Sequence, residues 1–140
     1  MSFLLDTNVL SELRKASRAH PRVLAWAGDQ DSDRYFISVI TLLEVERGVL
    51  RIERRDPAGG RTYRRWFDDE VLGVFADRTI PVDRPVARFA AQLHVPDPAP
   101  ENDTLLAATA IFHGLTVITR NTKDFERAGV PVVNPWEFTG

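Results

Sequence analysis

The sequence of 140 residues contains no cysteine. Disulfide bonds and thiolate metal ligands are therefore excluded, and any metal ion would be bound by oxygen or imidazole groups. No uncharged stretch approaches the roughly 18 apolar residues that a membrane helix needs. The first residues also lack the basic and apolar regions of a signal peptide. We therefore expect a cytoplasmic protein that does not associate with a membrane.

Neither sign of charge predominates, since 18 basic residues face 20 acidic ones and the net charge is −2. The positive charge is nevertheless uneven, because only Glu53 and Asp56 accompany seven arginines between positions 47 and 65. These arginines are Arg47, Arg51, Arg54, Arg55, Arg61, Arg64 and Arg65. The pattern is compatible with phosphate binding and equally with a solvated helix face.

Hydrophobic residues make up 44% of the chain and charged residues 27%, as in an ordinary globular protein. We find no repeat or long linker and expect one domain over residues 1–140. Apolar runs predict strands at 3–5, 35–38, 79–82, 115–119 and 130–133. Helical periodicity predicts helices at 7–14, from Pro21, from Ile40 to before Asp56, at about 61–76, at 84–93 and at 101–113. This alternation predicts an α/β fold, a central parallel sheet with helices on both faces.

Asp6 directly follows the first predicted strand. In open α/β sheets, ligands bind beyond the carboxyl ends of the strands, so Asp6 is a candidate catalytic or metal-binding residue. Aspartate is also a preferred helix N-cap, and that structural role would explain Asp6 when it is considered alone.

Glu44 lies about 160° around its helix from the apolar residue Leu42. An exposed glutamate that pairs with Arg47 or Arg51 is the ordinary interpretation. However, Gly48 follows one turn later, in a helix interior where glycine costs about 1 kcal/mol relative to alanine. A bare backbone beside a carboxylate leaves room for a ligand, so Glu44 is a second candidate.

Asp103 lies in the first turn of the predicted helix 101–113, where an acid also complements the helix dipole. It shares a face of small residues with Ala107 and Ala110. The core stripe is expected from the larger residues of this helix together with one alanine, namely Leu105, Ala108, Ile111 and Phe112. A face of small residues suggests that Asp103 lies at the rim of a site.

Asn121 and Asp124 follow the predicted strand 115–119 in a polar loop. They are candidates for a fourth ligand or for a group that positions water, and they are equally good turn formers. Several carboxylates gathered at one sheet edge would repel one another unless a cation neutralised them. Carboxylate oxygens select Mg²⁺ or Mn²⁺, and such a metal suits phosphodiester hydrolysis by an activated water.

Four segments match the motifs of one family in order along the chain. They are Leu4–Leu10, Glu44 with Gly48-Val49, Asn102-Asp103 with Leu106–Ala110, and Thr119–Phe125. The sequence resembles the VapC-like PIN-domain toxins, especially the FitB-like branch, whose chains end in a motif like Asn134-Pro135-Trp136. The resemblance implies a three-layer α/β/α sandwich with an acidic magnesium site formed by Asp6, Glu44 and Asp103.

The resemblance further implies an endoribonuclease toxin of a type II VapBC toxin–antitoxin system. Such toxins are usually homodimers, and a VapB-like antitoxin inhibits them, often by inserting a basic side chain into the acidic pocket. One position departs from the family pattern, because Asn121 stands where many relatives have aspartate. We therefore expect Asn121 to orient water, with Asp124 as the alternative, and Glu44 to act on the metal through a water.

Three other kinds of protein also carry acidic residues or folds of this type. A receiver-like signalling domain has no place for Glu44, and a haloacid-dehalogenase-type phosphatase needs an aspartate where position 8 is asparagine. A PIN-like domain that binds RNA or a partner protein without cleaving it stays open. The retention of all three acids favours the enzyme.

Overall fold

A five-stranded parallel sheet forms the centre of the computed structural model, which describes all 140 residues, Met1–Gly140. The strands are β1 (Phe3–Leu5), β2 (Tyr35–Ser38), β3 (Thr79–Ile80), β4 (Thr116–Ile118) and β5 (Val132–Val133). Their order across the sheet is β3-β2-β1-β4-β5. In the central register, Phe3 pairs with Tyr35 on one side and with Thr116 on the other.

Seven helices connect and flank the strands. They are α1 (Thr7–Leu13), α2 (Pro21–Gly28), α3 (Val39–Arg55), α4 (Pro57–Trp66), α5 (Arg84–Gln92), α6 (Glu101–His113) and α7 (Thr122–Arg127). A π-helical turn, Phe67–Leu72, continues α4, and short 3-10 turns lie at Ala16–Arg18, Ser32–Arg34 and Pro135–Glu137. No helix is both long and apolar enough to cross a bilayer.

The alternation of side chains along β1 divides the core into two layers. Phe3 and Leu5 pack with Trp26 on the face that α1 and α2 cover. Leu4 points to the opposite face and packs with Leu106 of α6. The expected three-layer α/β/α architecture is thereby confirmed, with the central strands β1 and β4 fully buried and the edge strands β3 and β5 partly exposed.

The glycine pair that follows α3 lies inside a helix, so the predicted start of α4 near Arg61 is four residues late. Asp56 caps α4 by accepting a hydrogen bond from the Gly59 N–H at 3.1 Å, and Pro57 occupies the first turn. Gly60 packs against α3 so closely that a Cβ atom would lie 2.5 Å from the Glu53 Cα atom. Glycine is therefore required here by the contact between two helices and does not mark a break.

Helix α6 has the predicted bounds and ends at Gly114, whose φ of +64° suits glycine. Its predicted core stripe is wrong in part, since Ile111 is 36% and Phe112 51% exposed. The buried arc is instead Thr104, Leu106, Ala107, Ala108, Thr109 and Ala110. The arc is this broad because α6 contacts the sheet on one side and α5 on the other, where Ala108 packs with Val86 and Ala90.

Candidate active site

Two neighbouring strands, β1 and β4, bring Asp6 and Thr119 to the same edge of the sheet. Asp6 is 7% exposed, and its Oδ2 atom accepts hydrogen bonds from Thr119 Oγ1 at 2.8 Å and Asn8 Nδ2 at 3.3 Å. Its Oδ1 atom accepts from the Thr7 N–H at 2.7 Å, so Asp6 also caps α1. Burial raises the pKa of Asp6, against the opposing effect of these hydrogen bonds.

Glu44 reaches the same edge from the second turn of α3. Thr7 Oγ1 donates to Glu44 Oε1 at 2.7 Å, and Asn102 Nδ2 donates to Glu44 Oε2 at 3.3 Å. The alternative interpretation, an exposed Glu44 that pairs with Arg47 or Arg51, is not observed, because neither arginine forms an ion pair with it. Neutral donors from α1 and α6 hold the carboxylate, and its negative charge is left uncompensated.

Asn121 connects the two remaining acids. Its side-chain nitrogen Nδ2 lies 3.4 Å from Asp103 Oδ2 and 3.1 Å from Asp124 Oδ2, and it donates to both. Its backbone N–H donates to Thr119 Oγ1 at 3.0 Å. Asp124 lies in the first turn of α7, so this segment is a short helix rather than the expected loop. Asn121 is thus part of one hydrogen-bonded chain that runs from Asp6 through Thr119 to both acids.

The arrangement carries excess negative charge. Desolvation by burial, a side-chain hydrogen bond with Asp124 and the negative charges of Asp6, Asp124 and Glu44 together raise the pKa of Asp103 to about 7. No lysine or arginine forms an ion pair with any of the four carboxylates. An acidic cluster of this kind is unfavourable for the fold by itself, and a bound cation would relieve it.

The chemistry of the donors fits Mg²⁺, since all of them are carboxylate, amide or hydroxyl oxygens at one edge of the sheet. The side chains do not enclose an ion, because no three of the acidic or histidine residues are close enough together to form a complete site. This openness is compatible with Mg²⁺, which usually retains several waters and takes only one or two carboxylates from the protein.

A groove of about 270 Å³ begins at Thr7 and Glu44 and runs between α1, α3 and α4. Val45, Val49 and Ile52 form its apolar wall, and Gly48 opens it because its missing side chain leaves space. On the opposite side, the Arg14 guanidinium lies over the Tyr63 ring, 4.1 Å from its centroid. We call this feature the α1–α3–α4 groove. An apolar surface therefore adjoins the acidic cluster directly.

Four polar residues at the site were not predicted as functional from the sequence. Thr7 and Asn102 orient Glu44, Asn8 donates to Asp6, and Thr119 joins Asp6 to Asn121. The sequence does carry a signal for Thr119, because a small hydroxyl residue at the end of a buried strand needs a polar partner. Asn102 precedes Asp103 directly, but its partner on α3 is 58 positions away and cannot be read from local sequence.

A family model for the PIN domain matches residues 3–131. The chain belongs to the PIN-domain family. It is 38% identical to the VapC ribonuclease Y4jK of Sinorhizobium fredii, over 96% of this chain and 97% of that protein. It is 37% identical to the toxin FitB of Neisseria gonorrhoeae, over 95% of this chain and 97% of that protein.

Solved structures agree with the fold of this PIN domain. The crystal structure of FitAcB from Neisseria gonorrhoeae superposes with a TM-score of 0.87 at 34% identity, covering 97% of this chain and 99% of that one. A toxin–antitoxin complex from Klebsiella pneumoniae gives a TM-score of 0.70 at 30% identity, covering 98% and 100%. The similarity to VapC-like and FitB-like PIN domains that the motifs indicated is therefore confirmed over nearly the whole chain.

Proposed function

We propose that this PIN domain is a magnesium-dependent endoribonuclease and the toxin of a toxin–antitoxin pair. The observation that carries the proposal is the cluster of Asp6, Glu44, Asp103 and Asp124 at the carboxyl edge of the sheet, which no cationic side chain neutralises. Relatives of almost the same length are named as VapC ribonuclease and as toxin FitB. Their names support RNA as the substrate and a toxic role.

In this proposal Asp6 and Asp103 are direct metal ligands, and Glu44 acts through a water. Mg²⁺ held by these residues would lower the pKa of a water ligand and would offset the negative charge that develops on the phosphate. Mn²⁺ has similar oxygen preferences and is expected to substitute. Thr119 holds the Asp6 carboxylate in one orientation, and Thr7 does the same for Glu44 through bonds of 2.8 and 2.7 Å.

Asn121 and Asp124 form the part of the site nearest to solvent. The Asn121 side chain is exposed and already donates to Asp103 and Asp124. We propose that Asn121 orients the attacking water and keeps Asp124 beside Asp103. Because asparagine carries no charge, the site is less acidic than one with aspartate at this position.

The proposed partner is a VapB-like antitoxin, since the neighbouring structures include FitAcB and a toxin–antitoxin complex. We assign its inhibitory segment to the α1–α3–α4 groove, whose apolar wall leads to the acidic cluster. A basic side chain of that segment would reach Glu44 and compensate its charge. The toxin is expected to be a homodimer and to act in the cytoplasm, where its RNA substrates are.

The competing function is a PIN-like domain that binds RNA or a partner without cleaving it. Purified partner-free protein with Mg²⁺ or Mn²⁺ decides between them in a cleavage assay on total RNA. We expect cleavage that EDTA and Asp6→Asn both abolish, while the exposed-acid control Asp69→Asn cleaves normally. If the wild type cleaves no better than Asp6→Asn, the enzyme function is wrong.

The toxin role has a separate test in cells. Induced expression of the wild type should arrest growth, and Asp103→Ala should remove the arrest at equal protein abundance. Unimpaired growth of cells that contain folded wild-type protein would contradict the toxin role and leave the nuclease activity untouched.

A further inference from the structure

The outward face of α3 carries arginines that have no partner in the protein. Arg47, Arg51, Arg54 and Arg55 are all exposed, and none of them forms an ion pair or a side-chain hydrogen bond. We call these four residues the arginine track. Four unpaired positive charges on one helix are notable in a chain whose net charge is −2.

The acids of α3 do not neutralise the arginine track, because Arg64 of α4 occupies them. Its guanidinium contacts Glu46 Oε2 at 2.6 Å and Glu53 Oε1 at 2.9 Å. The sole other acid of α3 is Glu44, which Thr7 and Asn102 hold at the candidate active site. The arginine track therefore presents its full charge to solvent.

Helix geometry aligns the arginine track with the acidic cluster. Arg51 follows Glu44 by seven residues, which places it about 20° from Glu44 around the helix and about 10 Å farther along the axis. Arg47 lies between them, about 60° from Glu44 and about 4.5 Å along the axis. A chain of phosphates that enters the cluster beside Glu44 can therefore continue along Arg47 and Arg51.

A structural role accounts for only half of the arginine track. Arg54 and Arg55 lie in the last turn of α3, where positive charge stabilises the helix C-terminus. Arg47 and Arg51 lie in the middle of the helix, where that effect has decayed. Self-association does not account for them either, because packing this face of α3 against its counterpart in a second copy would bring arginines together.

We propose that the arginine track binds the phosphodiester backbone of the RNA substrate and positions it at the carboxylates. This inference rests on the proposed nuclease function and adds the surface that holds the substrate. RNA fits better than an acidic protein because a strand that reaches the metal site must supply phosphates at regular intervals beside Glu44. Backbone contacts of this kind position RNA and carry no sequence information.

The test is a binding titration with a fluorescein-labelled, single-stranded 12-nucleotide RNA in EDTA, which prevents cleavage. Each phosphate contact with a single strand contributes about 0.7 to the slope of log affinity against log salt. The double variant Arg47→Gln/Arg51→Gln should therefore lower the slope by about 1.4 and weaken binding at 0.15 M salt by about 15-fold. The matched control Arg22→Gln/Arg88→Gln removes two exposed arginines on α2 and α5 and should change neither value.

A poly-glutamate of similar length serves as a second probe. The proposal would be overturned if the double variant and the wild type had equal salt slopes for RNA binding. It would also be overturned if the double variant lost as much affinity for poly-glutamate as for RNA. Unchanged melting temperatures are expected, since both substitutions are exposed and glutamine is a good helix former. With Mg²⁺, the double variant should raise KM about 15-fold and leave kcat unchanged. If the wild type binds RNA through these arginines but never cleaves it, the nuclease function is wrong and the RNA-binding role of the arginine track is retained.

Discussion

The metal-free protein should become more stable when Asp103 is replaced by asparagine. The pKa of Asp103 is raised from its ordinary value of 3.8 to about 7 by desolvation and by neighbouring carboxylates. At 1.36 kcal/mol per factor of ten in proton affinity, ionising this group in the folded state costs at most about 4 kcal/mol. Water screens a half-buried carboxylate, so we expect about 1 to 2 kcal/mol. Asparagine removes the charge and can still donate to Asp124.

The sign of the pH dependence follows from the raised pKa. Below about pH 4 the carboxyl is protonated in both the folded and the unfolded states, and it has no effect on the free energy of unfolding. As the pH rises towards 7, the unfolded state releases its proton first, and the fold is progressively destabilised. The advantage of Asp103→Asn should therefore be complete above pH 7 and vanish towards pH 4.

Thermal unfolding in EDTA at pH 8 measures this effect, with Asp69→Asn as the exposed-acid control. For a chain of this size, 1 to 2 kcal/mol corresponds to a rise in Tm of about 3 to 7 °C. Saturating Mg²⁺ should make the wild type melt above Asp103→Asn, because a ligand at 100 times its Kd stabilises the folded protein that binds it by about 2.7 kcal/mol. This reasoning would be refuted if Asp103→Asn melted below the wild type in EDTA. It would also be refuted if Mg²⁺ raised the Tm of Asp103→Asn by as much as that of the wild type.

Four other substitutions probe the packing and the hydrogen bonds around the site. Gly60→Ala should destabilise the protein by about 1 to 3 kcal/mol in urea denaturation, because its Cβ atom would collide with α3. Gly48→Ala should stabilise the protein by up to about 1 kcal/mol, because a Cβ atom there would meet nothing within 4 Å. If Gly48→Ala were the less stable of the two variants, this interpretation of the two glycines would be wrong. Thr119→Val deletes the donor to Asp6, and cleavage should slow about 10- to 100-fold, corresponding to about 1 to 3 kcal/mol, in a protein whose circular dichroism is unchanged. Phe125→Ala should cost about 3 to 5 kcal/mol, measured by denaturation, because this side chain of α7 is fully buried in the core that contains Leu4 and Leu106.

The fold could be predicted from the sequence wherever a local pattern and a tertiary role coincide. Strand β2 and helix α6 have the predicted bounds because continuous apolar runs suit strands buried on both faces, and Gly114 supplies a left-handed stop. The sequence pattern does not predict the start of α4, because adjacent glycines such as Gly59 and Gly60 usually indicate a turn or loop. Gly60 is in fact required by the backbone of α3, which is a non-local contact.

The same distinction applies to the candidate site. Asp6 and Asn121 were placed correctly because the carboxyl ends of parallel strands meet at one edge whatever the details of packing. The hydrogen-bond partners of Glu44 could not be predicted in this way. Its arginine neighbours on α3 are visible in the local sequence, whereas only the folded chain brings Thr7 and Asn102 close to it. Local sequence therefore indicates which carboxylates can meet, and tertiary structure decides which of them stay uncompensated.

That uncompensated charge relates stability to function in this protein. A cationic partner beside Glu44 or Asp103 would relieve the repulsion and stabilise the metal-free fold, but it would also compete with a metal ion for the same oxygens. The chain instead uses neutral donors, Thr7, Asn102 and Asn121, which fix the carboxylates in place and leave their charge available. Positive charge is kept about one to three helical turns from Glu44, on the arginine track, where it can attract a polyanion without entering the site. Thr7→Arg should accordingly raise the Tm of the metal-free protein in EDTA and abolish RNA cleavage.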